Sequence, residues 1–201
     1  HIKWPQVGLS ELGYGLPSGV FITDNRAQPA PEQEIEKLPK GFGVIFRDYD
    51  HPERERLGCL LRQRCRDAQL DFLVAGDVQL AEKLGADGVH LPEFQMTQAK
   101  TIRADHLDWL ITVACHDSVA VRKAAGLDID AGLVAPVFAT ESHPETHSGR
   151  QPTLGLSGVC SLVRETDLPL YALGGITKDN ARQLTGSGVA GLAAIRGFCV
   201  A

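Results

Sequence analysis

The chain has 201 residues, of which 43% are hydrophobic and 22% charged, and its formal net charge is −5 at pH 7. The apolar fraction is large enough to bury a core, which excludes an intrinsically disordered chain, and the negative charge argues against a nucleic-acid binder. No apolar run approaches the roughly 20 residues that span a bilayer. The 5 cysteines contain no Cys-x-x-Cys, so we expect a reduced, cytoplasmic protein without disulfides or a thiolate zinc site.

Short runs rich in Val, Ile and Leu recur along the chain and are apolar on successive residues. Strands that are buried on both faces have this pattern, and the sequence therefore predicts eight of them. In chain order the predicted strands cover residues 19–23, 43–46, 71–75, 88–91, 109–113, 132–137, 169–173 and 191–195.

Between most of these runs the apolar residues recur at the spacing of an amphipathic helix. Candidate capping residues open several of the segments, and Gly85 is suited to end one of them. The predicted helices cover residues 50–69, 77–84, 117–125 and 177–184.

Strands that alternate with helices in this way predict a closed parallel (β/α)8 barrel, the TIM barrel. The alternative is an open doubly wound sheet, which usually has fewer strands and a glycine-rich first turn, and no Gly-x-Gly-x-x-Gly follows the first strand here. No linker or low-complexity segment divides the sequence, so we predict a single barrel domain over residues 1–201. The long irregular stretch 139–154 is expected to be a functional or mobile loop.

In such barrels the reacting groups lie at the carboxyl ends of the strands. Gly174 and Gly175 follow the seventh predicted strand and precede a predicted helix, while Arg196 and Gly197 follow the eighth. Glycines let backbone N–H groups approach an anion, helix amino ends favour negative charge, and a guanidinium suits phosphate oxygens. We therefore predict a phosphate site here. The alternative is a tight turn in which the glycines serve only the backbone.

Several side chains at or near the strand ends are candidates for chemistry. His116 follows the fifth strand and could act as a general acid or base, or else be a locally bonded residue at a helix start. His90 lies inside a strand and is predicted to be structural. His143 and His147 share a loop that does not present a zinc-binding pair on one helix face. Arg47 ends the second strand and is predicted to be a functional cation.

Four motifs occur in order along the chain: Gly85-Ala-Asp-Gly-Val-His-Leu91, Ala135-Pro-Val-Phe-Ala-Thr140, Ala172-Leu-Gly-Gly-Ile-Thr177 and the segment 191–198. In these motifs the chain resembles the thiamine phosphate synthase and TenI superfamily from Val20 to Phe198. The resemblance implies a small (β/α)8 barrel of thiamine biosynthesis that handles thiazole phosphate and aminopyrimidine pyrophosphate. The synthases join the two with loss of pyrophosphate and use magnesium, whereas TenI is a thiazole tautomerase that moves a proton without metal.

The resemblance also implies roles for individual residues. His116 falls on the proton-transfer histidine of TenI-like members, with Glu93 as its candidate partner, and Arg47 falls on the arginine of a Gln-x-Arg-x-Lys motif. The resemblance and the residues at the strand ends together predict one set of ligand-binding residues: Arg47, Thr140, Ser142, His143, Gly174, Gly175, Arg196 and Gly197.

Other positions depart from the family pattern. Ile45 and Tyr49 stand where the second-strand motif has glutamine and lysine, and Ala75-Gly76 replaces an Asn-Asp pair whose aspartate holds magnesium. The segment 91–95 replaces a Gly-Gln-Asp/Glu-Asp sequence that supplies a second carboxylate. The remaining departures are Ala114 for a serine, His143 for a lysine and Arg196 for a serine.

These departures favour chemistry without a metal. Loss of one preorganised hydrogen-bond donor to a developing oxyanion lowers the rate by about 10²–10³-fold. Without its metal ion, the negative charge of a pyrophosphate leaving group is poorly neutralised. We predict an enzyme that binds a phosphorylated heterocycle and transfers a proton through His116, with no nucleic-acid or membrane partner and as a homo-oligomer. Two alternatives stay open: a true magnesium-dependent thiamine phosphate synthase with its metal ligands relocated to Asp77 and Glu93, or a non-catalytic phosphate-binding barrel.

Overall fold

The computed structural model describes residues 15–140, 146, 152–196 and 198. Its eight parallel strands hydrogen-bond in chain order and close into a barrel through the pairing of β1 with β8. This confirms the predicted (β/α)8 fold. The strands are β1 Gly19–Ile22, β2 Gly43–Phe46, β3 Asp71–Ala75, β4 Gly88–Leu91, β5 Leu110–Cys115, β6 Ala131–Val134, β7 Leu170–Leu173 and β8 Gly191–Ala194.

Helices of varied length connect the strands. The Asp77 and Asp117 side chains cap two of them by accepting hydrogen bonds from backbone N–H groups three residues later, as expected at helix starts. Two further connections contain 3-10 turns, Glu93–Gln98 and Ala181–Leu184. The α-helices of the described residues are α1 Pro31–Ile35, α2 Arg54–Ala68, α3 Val78–Leu84, α4 Ala99–Asp105, α5 Ser118–Ala125 and α6 Gly155–Arg164.

The predicted helix over 177–184 is wrong over its first half. The Asn180 side chain accepts a hydrogen bond from the Thr177 N–H at 2.8 Å and donates one to the Gly175 carbonyl at 2.7 Å. An amide side chain that bonds the backbone in this way competes with helix formation, so only the 3-10 turn follows. Among the described residues no α-helix begins after the glycine pair, so a helix amino end contributes nothing to anion binding at this point.

Some strand boundaries also differ from prediction. The sixth strand ends at Val134 rather than at residue 137, because Pro136 has no N–H to donate to the sheet. The fifth strand continues to Cys115 instead of ending at 113. Three helices, α1, α4 and α6, were not predicted from the sequence.

Both faces of the sheet are buried, which explains why the sequences of the strands are continuous apolar runs. One layer of side chains fills the barrel, and a second, larger layer packs between the strands and the helices. The interior layer consists of Val20, Ile22, Ile45, Leu73, Ala75, Ala131, Leu133, Tyr171, Ala190 and Ala193.

Two aspartates brace the amino ends of the strands in the same way. The Asp87 carboxylate accepts hydrogen bonds from the Phe72 N–H at 2.8 Å and from both terminal nitrogens of Arg62 at 2.6 and 2.8 Å. Asp130 accepts one from the Ile111 N–H at 2.7 Å and one from Arg103 at 2.6 Å. Each brace joins the starts of two neighbouring strands to the helix that precedes the first of them in the chain.

Candidate functional site

A depression of about 680 Å³ opens at the carboxyl ends of β4 and β5. His116 and Glu93 line it, together with the exposed apolar side chains of Phe94 and Val119 and with Lys123. A slightly larger depression of about 720 Å³ lies beside the amino ends of β6 and β7, away from the predicted site residues. Because reacting groups of such barrels lie at the carboxyl ends, the first depression is the candidate site.

His116 is the exposed residue directly after β5, and the turn into α5 fixes its main chain. Its Nδ1 lies 3.3 Å from the Ala135 carbonyl oxygen. A carbonyl oxygen only accepts hydrogen bonds, so this contact assigns the ring proton to Nδ1. In the neutral form of the ring the other nitrogen, Nε2, then has the lone pair and is the atom suited to accept a proton.

Glu93 contacts His116 through the main chain. Its Oε2 accepts a hydrogen bond from the His116 backbone N–H at 3.1 Å. The structure thus brings together the two residues predicted to be catalytic. The contact suits Glu93 to a positioning role, because it holds the main chain rather than the imidazole.

The thiol next to His116 is not a nucleophile. Burial raises the pKa of Cys115 to about 12, and the nearby Glu93 and Asp117 carboxylates add to the effect. The thiol form therefore predominates at neutral pH, and only the thiolate reacts readily.

Gly174 and Gly175 both adopt the left-handed backbone region, with φ of 97° and 66°. A methyl group at Gly174 would lie 2.9 Å from Pro136 Cα, and one at Gly175 would lie 2.3 Å from the Ala139 carbonyl oxygen. The glycines are thus required by the close approach of the segment after β6. That approach also brings Thr140, the residue after Ala139, towards the glycine pair.

The other predicted phosphate ligands are only partly described. Arg196 follows β8 and is exposed at the same end of the barrel. Thr140 donates its backbone N–H to Thr146 Oγ1 at 2.8 Å. Ser142, His143 and Gly197, as well as most of the predicted loop 139–154, lie outside the described residues.

Arg47 lies at the end of β2 and is ion-paired. Its Nη2 is 2.7 Å from Asp24 Oδ2, and its backbone N–H donates to Thr23 Oγ1 at 3.0 Å. The side chain is 30% exposed, so the pair lies at the rim of the barrel. The predicted cation is therefore present, but the Asp24 carboxylate neutralises part of its charge.

His90 is structural, as predicted. It is buried in β4, and its Nδ1 lies 2.9 Å from Thr112 Oγ1 on β5. Burial, with a smaller contribution from the positive charge of Arg47, lowers the pKa of His90 to about 3. The ring is consequently neutral at physiological pH.

The described side chains that follow β3 and β4 do not match the carboxylate pattern of a magnesium site. Ala75 and Gly76 offer no carboxylate, and Asp77 accepts hydrogen bonds from the Leu80 N–H at 2.9 Å and from Arg54 at 3.1 Å. Glu93 is engaged by the backbone of His116. The part of the chain that the structure describes contains no cluster of three or more His, Cys, Asp or Glu side chains arranged to hold a metal ion.

Arg54 is the residue at this end of the barrel that the sequence analysis missed. It opens α2 within the strongly charged run 50–56, which has the composition of a solvated surface. Its side chain is nevertheless only 16% exposed. The signal that could have identified it is its place on the connection after a predicted strand.

No helix among the described residues is both long and apolar enough to cross a membrane.

Comparison with known proteins gives consistent matches. The family model described as thiamine monophosphate synthase matches residues 20–198. The thiamine-phosphate synthase of Pyrococcus furiosus is 32% identical over 179 residues, which cover 87% of this chain and 83% of that protein. The thiamine-phosphate synthase of Geobacillus thermodenitrificans is 29% identical over 184 residues, covering 88% and 80%. The solved structure of thiamine phosphate pyrophosphorylase from Pyrococcus furiosus superposes with a TM-score of 0.75 at 28% identity, covering 91% of this chain and 87% of that one.

Proposed function

The chain belongs to the thiamine monophosphate synthase family, an enzyme family of thiamine biosynthesis, and we propose that its own reaction is a metal-independent proton transfer on a thiazole phosphate or a related phosphorylated heterocycle. One observation carries this proposal. His116 is exposed and oriented at the strand ends, and the described His, Cys, Asp and Glu side chains do not form a cluster that could hold a magnesium ion. His116 supplies an acid and base without a metal, as a tautomerase requires.

In the proposed site the phosphate is bound by the backbone around Gly174 and Gly175, with the Arg196 guanidinium as its cationic partner. The heterocycle then extends towards the depression that His116 lines. Nε2 of His116 removes a proton from one atom of the ring system and returns it to another, so that substrate and product have the same composition. Glu93 is a positioning residue, because its carboxylate fixes the main chain that carries the imidazole.

The test is a proton-transfer assay on thiazole phosphate, followed by NMR as exchange of ring protons with deuterated water. We expect His116→Ala to lower the exchange rate by about 10²–10⁴-fold, the usual contribution of a positioned acid or base. His106→Gln is the control, because His106 follows α4, close to the start of β5 and away from the candidate site. An unchanged rate in His116→Ala would remove the catalytic assignment and leave a non-catalytic phosphate-binding barrel.

The second candidate is a magnesium-dependent synthase, which the names of the relatives favour. A coupled assay with both phosphorylated substrates distinguishes the two reactions. Robust formation of thiamine phosphate that depends on added magnesium would establish the synthase and displace the tautomerase. A cytoplasmic location, a homo-oligomer and a single domain over 1–201 stay predictions.

A further inference from the structure

Three distant segments of the chain meet in front of Gly76, at the carboxyl end of β3. A methyl group placed at Gly76 would lie 3.1 Å from Tyr49 Cε1, 3.6 Å from the Tyr49 hydroxyl oxygen and 3.8 Å from Gln95 Oε1. Tyr49 follows β2, and Gln95 belongs to the 3-10 turn after β4. The space above Gly76 is therefore lined by a phenol and a primary amide.

Arg54 fixes the back of this space. Its Nη2 donates to the Ala75 carbonyl at 2.9 Å, and its Nη1 donates to Asp77 Oδ2 at 3.1 Å. The guanidinium carbon also lies 5.4 Å from the centre of the Tyr49 ring, within the range of a cation–π contact. The carboxylate of Asp77, the residue after Gly76, is thus ion-paired with Arg54.

The three positions around this space coincide with departures from the family pattern. Tyr49 stands where the pattern has lysine, Gly76 stands where it has the aspartate that holds magnesium, and Gln95 ends the segment that replaces the second carboxylate. In the sequence these changes lie far apart. In the structure Tyr49 and Gln95 both lie within 4 Å of the position that a Cβ would take at Gly76, so the three changes alter one half of the barrel mouth together.

We propose, building on the metal-free function proposed above, that Tyr49, Gly76 and Gln95 determine ligand specificity by making this half of the mouth accept an uncharged part of the ligand and exclude magnesium diphosphate. Magnesium is normally held by one or two carboxylates together with phosphate oxygens, and a diphosphate needs cations around it. The Tyr49 phenol and the Gln95 amide supply neither the negative charge that holds magnesium nor the positive charge that binds a diphosphate. Arg54 is a positioning residue that holds the Tyr49 ring and neutralises Asp77.

The first experiment titrates inorganic pyrophosphate into the full-length wild-type protein by calorimetry, with and without magnesium chloride. We expect magnesium to change the pyrophosphate affinity by less than about twofold. An increase of about tenfold or more in the presence of magnesium would overturn the proposal.

The second experiment rebuilds the charges in the triple variant Tyr49→Lys, Gly76→Asp and Gln95→Asp. Aspartate tolerates the left-handed backbone better than most residues, which suits the φ of 67° at Gly76. We expect magnesium to strengthen pyrophosphate binding to this variant by about tenfold or more. Arg56→Gln, an exposed change on the same helix, is the control and should behave as wild type.

A triple variant that melts cooperatively but gains no magnesium-dependent binding overturns the proposal. If the triple variant does not fold, the pair Tyr49→Lys and Gln95→Asp keeps the glycine backbone, and a gain of about threefold or more is expected in it. A folded pair without that gain overturns the proposal in the same way.

A parallel titration with thiazole phosphate separates this inference from the proposed function. Absence of thiazole phosphate binding, with pyrophosphate binding still insensitive to magnesium, would contradict the proposed function and support the exclusion of magnesium diphosphate. Magnesium-dependent pyrophosphate binding to the wild type would overturn the inference whether or not thiazole phosphate binds.

Discussion

His90 illustrates how a buried side chain ties stability to pH. Its pKa is lowered to about 3 in the folded chain, mainly by burial, whereas an unfolded chain exposes the ring to water and restores an ordinary pKa of about 6.5. Between these two values the unfolded state binds more protons than the folded state, so stability rises with pH. The contribution of His90 is complete above about 6.5 and is lost as the pH falls towards 3.

We therefore expect the wild type to lose about 2 kcal/mol of stability between pH 6.5 and pH 5 through this residue, at about 1.4 kcal/mol per pH unit. His90→Gln should lack that loss, whatever its stability at pH 7. Urea unfolding at both pH values measures the difference, and His51→Gln, near the surface, serves as the control. Equal pH dependence in wild type and His90→Gln would contradict the expectation.

Gly175 lies where both backbone conformation and space exclude a side chain. We expect Gly175→Ala to destabilise the protein by about 2–4 kcal/mol, since its Cβ would overlap the Ala139 carbonyl oxygen and the left-handed backbone disfavours alanine. Gly186 has a similar φ of 78° but nothing within 4 Å, so Gly186→Ala should cost only about 1–2 kcal/mol. Denaturant midpoints compare the two variants. Equal losses of stability in the two variants would show that overlap with the segment after β6 contributes nothing to the effect of Gly175→Ala.

At the level of the elements, the aspartate braces fix two of the helices, α2 and α4, to the starts of strands. Asp87→Ala leaves the Phe72 N–H and the Arg62 guanidinium without their acceptor, and we expect it to cost about 2–3 kcal/mol. Glu53→Ala removes an exposed ion pair with Arg56 and should cost less than about 0.5 kcal/mol. Chemical denaturation of both variants provides the test, and comparable losses would refute the structural role of the brace.

Strands were more predictable than their connections. Continuous apolar runs such as 43–46 and 71–75 identify doubly buried strands, and their bounds match the structure. The turn at 177–180 was not predictable from apolar spacing, because it is set by hydrogen bonds of a single amide side chain, that of Asn180. Periodicity reports which side chains are buried, and it carries no information on which backbone groups a polar side chain will bond.

The candidate site was predictable only in part, for a related reason. Strand ends located His116, Glu93 and the glycine pair, because parallel strands bring their carboxyl ends to one side. The approach of Tyr49 and Gln95 to Gly76 depends on how loops fold over the rim. Arg54 was missed because its burial comes from tertiary contacts that its charged neighbours in the sequence do not indicate.

At the scale of the whole molecule, the barrel is one closed ring of strands, with β1 paired to β8. Because no strand can leave the ring without exposing the edges of its two neighbours and the side chains inside the barrel, we expect a single unfolding transition with equal calorimetric and van't Hoff enthalpies. Asp87→Ala should lower the temperature of that one transition without splitting it. Two resolved heat-absorption peaks would contradict this view of the barrel as one cooperative unit.

The position of the two braces has a consequence for how this barrel can change over time. Asp87 and Asp130 fasten the strands at the face opposite His116, so these two stabilising groups are separate from those around the ligand. Apart from Gly174 and Gly175, whose backbone the fold itself requires, replacement of residues at the mouth should therefore impair turnover before it lowers the yield of folded protein. Such a scaffold can exchange one substrate for another in small steps while each intermediate variant is still produced in the cell.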